Sequence, residues 1–98
     1  MAYLVCDSYA TTIEQPTDFE VTLDAQSPVI SPAQTLGDNS VRLHYDVSGV
    51  STGDHQAVVR AYKYDEIDGD IWSEYSTPFL FRRSGSLGAP SGISITLT

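Results

Sequence analysis

The stretch His55-Gln56-Ala57-Val58-Val59-Arg60-Ala61-Tyr62, followed by Trp72-Ser73-Glu74-Tyr75-Ser76, decides the fold class. In the first run Ala57, Val59 and Ala61 fall on one side and Val58, Arg60 and Tyr62 on the other, the two-residue period of a strand with one buried face. The second run comes after an acidic connection, Asp65 to Asp70, and reads as the neighbouring strand, with Gly69 supplying a positive φ in the turn. Outward from this pair the same period recurs. Phe19, Val21 and Leu23 alternate with Glu20 and Thr22, and Val41, Leu43, Tyr45 and Val47 alternate with Arg42, His44 and Asp46. Tyr3 to Cys6 is a short strand, and Val29-Ile30, between Pro28 and Pro32, is an edge strand. Trp72 to Arg82 is read as one strand interrupted at Pro78, which has no N–H for a ladder. After a Gly- and Ser-rich linker over 83–92, Ile93, Ile95 and Leu97 alternate with Ser94, Thr96 and Thr98, which predicts a last strand over 93–98. All the alternating apolar sets, Ile93, Ile95 and Leu97 included, are expected in one core.

Composition bounds the rest. The chain has 98 residues, enough for a single domain over 1–98 with one core. Thirteen acids against five bases give a net charge of -8, which repels phosphate backbones and argues against nucleic acid as a partner. A single cysteine, Cys6, forms no disulfide within the chain, and its place in Tyr3-Leu4-Val5-Cys6 reads as a buried structural thiol. No basic segment with a long apolar run opens the sequence, and no apolar run is long enough to span a bilayer, so the expected setting is synthesis in the cytoplasm without a membrane partner.

The pattern Val50, Gly53 and His55-x-Ala57-x-Val59-x-Ala61 resembles the E-to-F corner and strand F of the fibronectin type III domain. That family usually carries a tyrosine where this chain has His55, and the tyrosine hydroxyl ties the corner back to the backbone; here His55 is expected to make the tie. The resemblance implies an immunoglobulin-like sandwich of about seven strands. In it Tyr3 to Asp7 is similar to strand B, Asp18 to Leu23 to strand C, Val41 to Val47 to strand E and Phe79 to Arg82 to strand G. Pro90-Ser91-Gly92-Ile93-Ser94-Ile95 resembles strand A, displaced to the other end of the sequence, so the implied fold is circularly permuted or has an exchanged terminal strand. The pieces Tyr3-Leu4-Val5-Cys6-Asp7 and Ala89-Pro90-Ser91-Gly92-Ile93 are similar to small fibronectin-like proteins of phage and prophage regions, whose roles are mostly unassigned; the resemblance implies a phage-associated module and leaves incorporation into a virion open.

Trp72-Ser73-Glu74-Tyr75-Ser76 resembles the WSxWS box of cytokine-receptor domains, which implies that Arg60 stacks on Trp72. The acids Asp65, Glu66, Asp68 and Asp70 suggest calcium, but with Gly69 in the glycine position of an EF-hand loop, Tyr64 and Tyr75 fall where acids are required. His44 and His55 lie on different strands without zinc spacing, and no nucleophile motif or phosphate loop is present. The expectation is a module without catalysis, cofactor or metal. It presents either the loop over 64–71, with contacts from Tyr64, Asp65, Glu66, Ile67, Asp68 and Asp70, or a sheet edge to a protein or glycan. The alternatives are a self-assembling protein that exchanges its terminal strand and a glycan-binding accessory domain; the expected state is a monomer or a strand-exchanged homodimer and not an open polymer, because the net charge of -8 opposes indefinite association.

Overall fold

A computed structural model describes residues 2–85 and 87–97. The described residues form no helix and nine strands: β1 (Tyr3–Val5), β2 (Asp18–Leu23), β3 (Val29–Pro32), β4 (Gln34–Thr35), β5 (Val41–Arg42), β6 (His44–Asp46), β7 (Gly53–Asp65), β8 (Gly69–Trp72) and β9 (Phe79–Arg83). Every strand pair is antiparallel. One layer runs in the order β3-β2-β7-β8, with β9 also on β7; the other holds the pairs β1–β6 and β4–β5. Between them lie Leu4, Phe19, Val21, Leu43, Val47 and Ala57, a sandwich-like core built from the alternation seen in the sequence.

β7 organises the main layer. One edge pairs with β2 from Leu23↔Ala57 to Asp18↔Tyr62. The other pairs with β9 at its start, Gly53↔Arg83, and with β8 at its finish, Asp65↔Gly69. The partner segment expected as one strand over 72–82 is therefore two strands. Between them Ser73 and Ser76 keep β7 satisfied: their N–H groups donate to Ala61 O and Val59 O, and their hydroxyls accept from Ala61 N and Val59 N. The expected strand over 41–47 is also divided. At Leu43 the N–H donates to Cys6 Sγ at 3.2 Å instead of to a carbonyl, so β5 pairs with β4 and β6 with β1. The connection expected over 65–70 shrinks to Glu66–Asp68, because Asp65 Oδ1 accepts the N–H groups of Ile67 and Asp68 and Gly69 takes φ 77°.

The largest correction concerns the segment after the linker. Ile93–Leu97 forms no strand, and Ile93, Ile95 and Leu97 are 85%, 93% and 97% exposed rather than in the core. β1 pairs with β6 and not with this segment. The expected strand ran to Thr98 and the linker included Ser86; both residues lie outside the described ones. Topology supplies the reason. The chain leaves β9 at Arg83, opposite Gly53, and the Arg83 charge acts on Asp46, the register partner of Tyr3. A strand antiparallel to β1 has to begin at the far pole, so the linker would have to run back along the sandwich before the strand could start. The chain projects instead: its radius of gyration is 19.4 Å and its longest extent 76 Å, against about 13 Å for the radius of a compact chain of this size.

Candidate functional site

Among the described residues β1 pairs only with β6, so its other edge leaves the sandwich an open side. A groove of about 640 Å³ runs there, floored by Phe19, Ala57, Val59 and Ala61, with Leu4 and Cys6 on one wall and the segment from Ser73 to Phe79 on the other. Val59 and Ala61, expected fully buried, are only half-buried, because this opening uncovers them. Val5 and Phe79 stand on the rim, 51% and 56% exposed.

One wall offers backbone as well as apolar surface. Val47 N donates to Ala2 O, and the register runs Tyr3↔Asp46, Leu4↔Tyr45, Val5↔His44. An antiparallel ladder alternates bonded and non-bonded pairs, so Leu4 turns its amide to β6, as the Ala2 carbonyl turns to Val47, while the amides of Tyr3 and Val5 point to the open side. No strand pairs there among the described residues. The Leu4 side chain is buried and Tyr3 stacks on His44 with centroids 3.9 Å apart, which holds the edge straight. Cys6 ends it, donating to Asp7 O while accepting from Leu43; the thiol expected to be buried is half-buried, because it lines the groove. Burial pushes the nearby Tyr9 phenol up from its usual range.

The opposite face of β7 is closed. Arg60 Cζ lies 3.9 Å from the centroid of Trp72 and 4.6 Å from that of Tyr75, the arrangement implied by the box resemblance. Its Nε and Nη2 donate to Glu20 Oε1 and Oε2 at 3.1 and 3.2 Å, and Glu20 is buried. Tyr62 packs on Trp72 at 4.6 Å and donates to Asp70 at 2.6 Å. Each ring face used here by the guanidinium is lost to stacking on a sugar.

His55 makes the corner tie. Nε2 reaches Ser51 O at 2.8 Å and Nδ1 reaches Asp24 Oδ2 at 2.6 Å. Both partners accept, so the geometry favours the protonated ring, in which both nitrogens donate. The hydrogen bond to Asp24, then that to Ser51, raises the His55 pKa, and the same bond with His55, then the Gln56 amide, lowers that of Asp24.

The acidic residues divide by role. Asp65 caps the hairpin turn, and the amides of Asp68 and Ile67 hold its carboxyl below the usual range. Asp70 receives Tyr62, whose phenol it pushes up. Tyr64 and Ile67 are exposed at the tip, Ile67 at 92%. Among the described residues no three His, Cys, Asp or Glu side chains are grouped to hold a metal ion.

Several of these functions escape a reading of the sequence. Glu20 looks like an ordinary outward position; placing Phe19 and Val21 opposite Ala61 and Val59 would have set it across from Arg60. The serines Ser73 and Ser76 substitute for ladder groups, which alternation does not report. Asp24 pairs with His55 from φ 50°, a conformation with no apolar signature. Compared with known proteins, the chain matches no family model, no curated protein and no solved structure.

Proposed function

We propose that this chain is a noncatalytic module of the fibronectin type III kind, circularly permuted so that strand A is missing beside β1, and that it works by accepting a β-strand from a protein partner along that edge. The observation that carries the reading is the coincidence of an apolar groove with the outward amides of Tyr3 and Val5. Backbone bonds to the edge give affinity, and alternate side chains dropping into the groove give selectivity. The groove's polar neighbours support a role without catalysis, since the hydroxyls of Ser73 and Ser76 are committed to β7 amides. Terminal motifs similar to phage and prophage proteins imply a virion or prophage assembly as the setting.

A second reading, display of the 64–71 hairpin, is favoured by Ile67 and Tyr64 at its tip. The groove is the stronger candidate because it leaves both backbone and core surface uncovered.

The test uses the full chain carrying Ile95→Asp and a panel of extended peptides that alternate β-branched and threonine residues, with scrambled peptides as controls. Binding is expected to slow hydrogen exchange at the Tyr3 and Val5 amides, and Val5→Pro, which removes an outward N–H without touching the β6 ladder, abolishes it. Peptides that leave those amides unprotected overturn the proposal.

A further inference from the structure

Resting on that reading, we infer that the strand filling the groove is the Ile93–Leu97 segment of a second copy of this chain, delivered head to tail. Three observations converge on this occupant. The segment has the side chains the groove requires: Ile93, Ile95 and Leu97 lie on alternate positions, and all three are exposed in the single chain. Spacing agrees as well. From Ile93 to Leu97 is the same number of residue steps as from Ala57 to Ala61, about 13 Å at roughly 3.3 Å per residue, so the three apolar side chains match the run of the floor, which is buried at Ala57 and open at Val59 and Ala61. Ala61 leaves room for a larger donor side chain, while Ser94 faces solvent, as strand alternation requires.

Polarity then selects a neighbour over the chain itself. All pairs in this molecule are antiparallel, and an antiparallel partner of β1 starts beside Tyr9 and finishes beside Tyr3. The chain leaves β9 at the Tyr3 pole. A copy stacked with its Tyr9 pole against this exit receives the linker directly. Residues 84–92 reach at most about 30 to 32 Å, using roughly 3.3 to 3.6 Å per residue; that crosses the junction between two stacked domains with slack, whereas folding back along the same domain spends about 20 Å of it on the six residue steps from the Tyr3 pole to the Tyr9 pole, at roughly 3.3 Å each. Each copy then donates at one pole and accepts along its open edge, a heterologous contact, which extends from copy to copy unless the rotation between them closes a ring. The net charge of -8 per copy opposes this stacking, so salt lengthens the assemblies by screening.

Two full-length variants separate donor from acceptor. Ile95→Asp disables the donor at an exposed position, and Val5→Pro disables the edge. Sedimentation velocity of the wild type is expected to show a series of species that grows with protein concentration and with added sodium chloride. Each variant alone is expected to stay monomeric, and their equimolar mixture to give a heterodimer and nothing larger, because the intact tail of one enters the intact groove of the other. If Val5→Pro does not fold by circular dichroism, Phe79→Asp on the groove rim takes its place. A wild type that remains monomeric, one that stops at a closed pair, or a mixture without heterodimer overturns the inference. Peptide uptake by Ile95→Asp judges the acceptor reading separately: uptake with no self-association removes the second copy as occupant and leaves the groove as a strand site.

Discussion

The two faces of β7 differ in how they are completed. Outward, Arg60 and Tyr62 are covered by Glu20, Trp72, Tyr75 and Asp70, all from strands or turns next to β7 in the sheet. Inward, Ala57 is buried but Val59 and Ala61 open onto the groove. The outer face uses short-range connections, the β7–β8 hairpin and the β2 ladder, so loop closure costs little. The inner face at β1 needs a segment that starts at the opposite pole, and none of the described residues supplies it. A fold can thus be covered on one side and stay open on the other.

The largest way to disturb this contrast is to empty the part of the inner face that is already closed. Phe19→Ala removes a fully buried ring that Val21, Leu4 and Tyr9 cannot replace; it should cost about 3 to 5 kcal/mol, read from urea midpoints at unchanged slope. Next comes the outer face. Arg60→Ala leaves buried Glu20 without its partner and uncovers Trp72, with an expected loss of about 3 kcal/mol and a red-shifted emission from the single tryptophan. Arg60→Lys keeps the charge but loses the two-pronged bond and the planar stack, so it should fall between the wild type and Arg60→Ala. An unshifted emission in Arg60→Ala would show that the outer face is not closed by this contact.

The corner where the faces meet gives a smaller, pH-dependent effect. His55 has a raised pKa in the folded chain, so its contribution is fully present below the unfolded value of about 6.5 and is lost as pH rises through the folded value. Asp24 has a lowered pKa, so its contribution is present above about 3.9 and is lost on acidification through the folded value. The melting-temperature difference between the wild type and Asp24→Asn should therefore peak between those limits, near pH 5 to 6, and shrink in alkali. Asp54 and the Ser51 carbonyl also favour the charged ring, so His55 keeps part of its shift in that variant. A difference that is flat from pH 5 to 9 would remove the ion pair from the account. Smallest of all is the effect of Ile95→Asp on the monomer: at low concentration its melting temperature should equal that of wild type, since the side chain is exposed in the single chain.

Much of the sandwich was legible because its strands obey the two-residue period. β2 fell on the predicted bounds, Leu43 and Val47 faced the core, and the turn at Gly69 took a positive φ. Alternation reports which face of a strand is apolar and nothing about what covers it. Ile93, Ile95 and Leu97 have as good a period as Phe19, Val21 and Leu23, yet only the latter set meets its sheet within the chain. The difference lies in where the chain exits β9 relative to β1, a property of topology that no local window contains. Glu20, Asp24, Ser73 and Ser76 stayed hidden for a related reason. Their work is done across strands, and it becomes visible only once the register is known.

The central claim is that the open edge of β1 is completed by another chain, and residue-resolved hydrogen exchange of the Tyr3 and Val5 amides across a range of protein concentrations tests it most directly. Protection at both should rise with concentration in the wild type and stay low at every concentration in Ile95→Asp. Protection that is already high in dilute wild type and does not change with concentration would mean that the edge is closed within one chain, and it would contradict the account.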